Sequence, residues 1–120
     1  MRREELYLRD ILEAAGYIAQ FIGGVDRSSF LESELVRSAV VQKLAVIGEA
    51  AARVSEELRL RHPEAPWPKI VAFRNILVHA YFGIDWEEVW RAATKEAPAL
   101  KEQIESILRV ELGEVGHPDS

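Results

Sequence analysis

Apolar residues recur at steps of three and four along nearly the whole chain, and this pattern leaves room for little but helices. Leu8, Ile11, Leu12, Ala15, Ile18, Ala19 and Ile22 trace a first amphipathic stripe, which Gly23-Gly24 ends. After a short connection, VDRSSF, a longer second helix is expected from near Ser33 to about Arg61. Its buried stripe is Val36, Val40, Leu44, Ile47, Ala51, Val54 and Leu58. His62-Pro63 closes it, and Pro66 and Pro68 bracket Trp67 in a rigid entry to a third helix that ends near Phe82-Gly83. Asp85 reads as an N-cap, with Glu88 three residues on completing a capping-box pattern. The fourth helix carries Trp86, Val89 and Trp90. Pro98 fits the first turn of a fifth, whose apolar face is Leu100, Ile104, Ile107, Leu108 and Leu112. The expected architecture is an all-α, single-domain bundle of about five helices over residues 1–112, with residues 113–120 a flexible C-terminal tail.

The middle of the second helix is crowded with small residues, Ala45, Gly48, Ala50, Ala51 and Ala52, which let another helix approach closely. The third helix is unusual in another way. From Ile70 to Gly83 it reads IVAFRNILVHAYFG, in which only Arg74, Asn75 and His79 are strongly polar. A helix that is apolar nearly all round is expected to be buried on several sides. Polar groups there cost several kcal/mol or so unless paired. Fold stability gives little reason to place three of them in such a segment, whereas a functional site does.

The residue types suit phosphodiester cleavage without a metal. Histidine titrates near neutrality, so it can take a proton from an attacking hydroxyl or give one to a leaving oxygen. Arginine presents a planar fork of donors to a phosphate and to the charge that builds on it. Asn75 can orient either partner, and Tyr81 can bond the phosphate or present a modifiable hydroxyl. RNA brings its own nucleophile, the 2′-hydroxyl. No metal cluster is legible: His62, His79 and His117 are widely separated, and there is no H-E-x-x-H pattern. On an ideal helix Arg74 and His79 lie about 140° apart. Either the helix unwinds near His79, or a second copy of the chain completes the site. The spacing R-x4-H-x-Y alone is a weak signal that favours a structural reading, in which a buried Arg74 pairs with Glu49 and His79 is a satisfied histidine at a helix end.

Composition narrows the setting. The 120 residues are 48% hydrophobic and 29% charged, a globular balance. There is no cysteine, which excludes disulfides and thiolate zinc sites and suits a reducing cytoplasm, the expected location. The N-terminal MRREELYLRD carries no signal-peptide pattern, and no apolar run is long enough to span a membrane. A net charge of −5 disfavours a broad nucleic-acid-coating surface but leaves room for a local basic cleft.

In these residues the chain resembles the HEPN superfamily, and within it the HepT-like toxins. Beyond Arg74, His79 and Tyr81, the resemblance takes in Ile47-Gly48-Glu49-Ala50, His62-Pro63, Pro66-Trp67, Tyr81-Phe82-Gly83 and Val89-Trp90, covering about Leu8 to Leu108. It implies a HEPN-type helical bundle that forms a homodimer, with the two motif helices facing a shared cleft. It also implies a metal-independent endoribonuclease acting on RNA, with no cofactor, as the toxin of a HEPN/MNT toxin–antitoxin pair. Carried over by position, Arg74 and His79 are the catalytic pair and Asn75 the supporting polar residue. Tyr81 is the site at which an MNT-type nucleotidyltransferase antitoxin attaches nucleotidyl groups.

The alternative is a non-catalytic nucleotide-binding or target-presenting subunit of a minimal nucleotidyltransferase complex. An inactive dimerisation scaffold is the third reading. Among other residues, Glu49 is expected either to orient the Arg/His pair or to serve as a structural ion-pair partner. Trp67, Trp86 and Trp90 read as core or dimer anchors. Lys69, Arg59 and Arg61 read as solvated surface charges.

Overall fold

The computed structural model describes residues 2–76, 82–83 and 85–113. His79, Tyr81 and the tail beyond Gly113, with His117, lie outside the described residues. Helix α1 (Arg2–Ile22) packs along α3 (Glu34–Arg53), and the C-terminal helix lies against α1. Leu8, Ile11 and Ile18 from α1 meet Val40, Leu44 and Ile47 from α3, all fully buried. The first-helix stripe is thus as expected at Leu8, Ile11, Ala15 and Ile18, while Ala14 is buried as well and Ala19 is exposed. Gly24, at φ +76°, lets the chain leave α1 in the left-handed conformation that other residues resist.

The connection after α1 is itself partly helical. Asp26 caps α2 (Arg27–Glu32) by accepting from the Ser29 N–H at 2.8 Å, and this bond holds the Asp26 carboxyl below its ordinary pKa. Phe30 of α2 is buried and meets Trp90 at 5.0 Å between ring centroids. Ser33 then caps α3 through the Val36 N–H, so the expected start of the second helix is correct.

Its expected end is not. The helix stops at Arg53, and Ser55 caps a separate helix α4 (Glu56–Arg61) by accepting from Leu58 N–H at 3.1 Å. Two side chains hold the break: Glu4 accepts from the Ser55 N–H, and Arg59 Nη2 donates to the Ala51 carbonyl at 2.8 Å. Arg59 is therefore half-buried and structural rather than a solvated charge.

Beyond α5 (Trp67–Ala72), Asp85 caps α6 (Trp86–Arg91), but only half of the expected capping box exists. Asp85 accepts from Glu87 N–H, whereas the Glu88 side chain turns to Arg91. The fourth and fifth helices are also not separate. Residues Ala92–Glu96 form a turn of π-helix leading directly into α7 (Ala97–Glu111). Pro98 explains it: proline has no N–H to donate backward and its ring crowds the preceding turn. The helix widens instead, and Ala97 N–H reaches Ala92 O. Leu100, Ile104, Ile107 and Leu108 are buried as expected, and Leu112 is half-buried. Among the described residues there is no strand, so the all-α reading holds, and no helix is long and apolar enough to cross a membrane.

Candidate active site

The segment bearing Arg74 is positioned from both ends. Upstream, Trp67 is buried and its indole Nε1 donates to the His62 carbonyl at 2.8 Å, which fixes the entry into α5. Ile70, fully inside, anchors the same helix. At Phe73–Asn75 the helix tightens into a 3-10 turn, in which Ile76 N–H bonds to Phe73 O. This turn lies directly on α3. A Cβ built on Gly48 would stand 2.1 Å from the Arg74 backbone nitrogen and 2.8 Å from its Cα. The small-residue stretch of α3 therefore does admit a close neighbour, and that neighbour is the backbone of Arg74 itself.

With its backbone pressed onto α3, Arg74 turns its side chain outward. Arg74 and Asn75 are both exposed, so at these two positions the expected burial on several sides is not found, while Ile70 is buried and Val71, Phe73 and Ile76 are half-buried. The Arg74–Glu49 buried pair is not formed either: Glu49 is exposed and makes no ion pair with Arg74. Both instead line an open groove of about 470 Å³ between α1, α3 and the 3-10 turn. Ala45, Val46 and Ala50 line the same groove, together with Gln42, Arg53, Tyr7 and Asp10. The sequence reading assigned nothing to these last four. The signal was present in the spacing of Gln42, Val46, Glu49 and Arg53, which repeat at four, three and four on one outward face of α3. His79 and Tyr81 lie outside the described residues; of the rest of the expected set, Arg74 and Glu49 line one groove, while Asn75 is exposed and is not part of its lining.

Behind α5 a second polar cluster ties the chain together. His62 is the buried polar residue of the described core. Its Nδ1 lies 3.2 Å from Glu64 Oε2 and its Nε2 2.5 Å from Glu111 Oε2. Arg61 donates to both oxygens of Glu111, at 3.1 and 2.8 Å. These bonds, first from Arg61 and then from His62, hold the Glu111 carboxyl below its ordinary pKa and raise that of Arg61. Arg61 is thus a clamp between α4 and the end of α7, not a free surface charge. Lys69, on the exposed side of α5, is likewise paired, with Glu96 at 2.6 Å. The three tryptophans act as anchors: Trp67 is buried, Trp86 lies under the Arg37 guanidinium at 4.9 Å, and Trp90 packs against Phe30 with the rings tilted by 40°.

Among the described residues the domain is all-helical, with an arginine-bearing turn seated on a glycine of α3, and comparison with known proteins gives it a family. Residues 11–107 match the family described as ribonuclease HepT-like. A protein of Methanocaldococcus jannaschii described as a putative RNase is 35% identical over 106 residues, covering 88% of this chain and 97% of its own. A Caldanaerobacter subterraneus protein, also described as a putative RNase, is 32% identical, covering 92% of this chain and 99% of its own. A probable ribonuclease HepT from Thermococcus cleftensis is 34% identical over 88% of this chain and 96% of its own. The chain belongs to the HepT-like ribonuclease family. No solved structure matches it.

Proposed function

We propose that this chain is a metal-independent endoribonuclease and the toxin of a HEPN/MNT toxin–antitoxin pair, working as a homodimer through Arg74 and His79. The observation that carries the reading is the placement of Arg74: its backbone is pinned against Gly48 while its guanidinium stands at the edge of an open groove. The pinned backbone fixes where the arginine starts from, and its exposed side chain is left to close on a phosphodiester. Nothing else in the described structure needs an arginine at that turn.

In the proposed reaction the 2′-hydroxyl oxygen attacks the adjacent phosphorus as an imidazole takes its proton. The bond from phosphorus to the 5′-oxygen breaks, and that oxygen leaves with a proton from the protonated form of an imidazole. The products are a 2′,3′-cyclic phosphate and a 5′-hydroxyl. Arg74 donates to the non-bridging oxygens as negative charge accumulates on them, Asn75 supports the phosphate or the imidazole, and Glu49, which lines the same groove, orients the guanidinium. Tyr81 is the site where the nucleotidyltransferase antitoxin silences the enzyme.

The test begins with the intact mass of protein made without its antitoxin, to establish an unmodified Tyr81. RNA cleavage is then compared with that by Arg74→Ala and His79→Ala. Each substitution should lower cleavage by about 10² or more, the usual range for lost acid–base or electrostatic help, while far-ultraviolet circular dichroism stays helical. Cyclic-phosphate ends and resistance of a 2′-deoxy linkage complete the expected result. Unimpaired cleavage by either variant would remove that residue from the catalytic pair. Absence of any cleavage by the unmodified wild type would favour the target-presenting subunit instead.

A further inference from the structure

The groove beside Arg74 contains more chemistry than one phosphate contact uses. Most arginines of this chain are already engaged. Arg9, Arg27, Arg61 and Arg91 each pair with a glutamate, and Arg37 and Arg59 donate to backbone carbonyls. Among the described side chains, those left without such a partner are Arg3 and Arg109, near the two ends, and Arg53 and Arg74, which share the groove. Two arginines lining one concavity with no such partner among the described residues, in a chain of net charge −5, are not explained by the described fold.

The remaining lining narrows the kind of occupant. Asp10 and Glu49 face the same space, exposed and without a hydrogen-bond partner among the described residues. A bare anion or an acidic peptide would meet these carboxylates at a cost. A nucleotide would not, because it carries a phosphate for a guanidinium and N–H donors on its base for a carboxylate. Tyr7, half-buried on α1, adds a flat face of the kind on which bases stack. The volume of about 470 Å³ lies within the range of small-molecule sites.

We propose that this groove is a nucleotide subsite flanking the scissile linkage. Arg53 takes the phosphate next to the one at Arg74, Tyr7 receives the base, and Asp10 and Glu49 accept hydrogen bonds from donor groups on the base edge. The proposal rests on the reading of Arg74 as an RNA-phosphate ligand, and it assigns substrate contacts to four residues outside the R-x4-H-x-Y motif or its asparagine.

The test is a binding titration with a short, mixed-sequence 2′-O-methyl oligoribonucleotide, which has no free 2′-hydroxyl and cannot be cut. Arg53→Ala should weaken binding roughly tenfold, as expected for loss of a charge-assisted contact. It should also reduce the steepness of log affinity against log salt by about 0.7, the loss of one single-strand phosphate. Arg53→Lys should restore the salt slope but only part of the affinity. Arg109→Ala, an exposed cation that does not line the groove, controls for net charge and should change neither. Identical affinity and slope in wild type and Arg53→Ala would overturn the subsite. So would loss of self-association in Arg53→Ala, measured by sedimentation, with oligonucleotide affinity intact, since the groove would then be an interface between copies. Because the ligand is uncleavable, a failure of the nuclease reading shows separately, as normal binding by a wild type that cuts no RNA.

Discussion

Gly48 shows how one missing methylene group can carry a site. In the middle of a 20-residue helix glycine is a poor choice, costing about 1 kcal/mol relative to alanine. It is tolerated because the Arg74 backbone occupies the space a Cβ would need, at distances of 2.1 and 2.8 Å that real Cβ atoms do not show. The atoms in the way are backbone and cannot rotate aside. Gly48→Ala should therefore destabilise the chain despite its better helix propensity, by about 1–3 kcal/mol, the usual cost of overpacking. Urea unfolding checks this. RNA cleavage by the folded fraction should fall by a larger factor than stability alone explains, because the 3-10 turn must shift to make room and Arg74 shifts with it. A variant equal to wild type in both measurements would separate the glycine from the arginine.

At the scale of elements, the apolar periodicity that made the bundle legible was silent where side chains interrupt it. The stripe Val36 to Leu58 continues in phase across Val54-Ser55, so the sequence read as one helix what the structure divides in two. The signal that should have counted was Ser55 followed by Glu56 and Glu57, a capping residue with an acidic first turn. No local pattern could reveal the partners that secure the break, since Glu4 and Arg59 reach Ser55 and Ala51 from other helices. The π-turn before Pro98 is the converse case, where a proline that looked like a boundary was absorbed without one. In the site, Arg74 and Asn75 stood out because they were polar in apolar company, but their exposure depended on which face of the turn α3 covers.

The Arg61–His62–Glu111 cluster was invisible for the same long-range reason, and it makes a pH-dependent prediction. Arg61 and His62 hold the Glu111 carboxyl below its ordinary value near 4.5, so the folded state binds this proton more weakly than the unfolded chain. The stabilisation from Glu111 is complete above about 4.5 and disappears as pH falls through the lowered folded value. Glu111→Gln, which keeps the shape but loses the charge, should cost about 1–3 kcal/mol near pH 5. The gap between variant and wild type should narrow steadily on acidification below pH 4.5. A gap that stays constant through that range, in urea melts at stepped pH, would mean that packing rather than charge holds the ends of α4 and α7 together.

For the whole molecule, the geometry of the motif bears on whether one chain suffices. An α-helix places Arg74 and His79 about 140° apart around its axis. A 3-10 turn advances about 120° per residue rather than 100°, so the tightening at Phe73–Asn75 rotates Arg74 away from that face instead of toward it. An α-helical path onward to His79 would thus leave the two side chains on nearly opposite sides of one segment. A symmetric pair of chains resolves this, since the arginine of one copy can work with the histidine of the other. Mixing Arg74→Ala with His79→Ala then becomes decisive. If the working pair comes from two chains, each mixed dimer has one intact site and one empty one. Random exchange of subunits makes half the dimers mixed, so the mixture of two inactive proteins should recover roughly a quarter of wild-type cleavage. The recovery should also fall on dilution as dimers dissociate. Mixtures that remain as inactive as their components, after exchange has been verified by mass spectrometry of differently tagged chains, would place Arg74 and His79 of each site on a single chain.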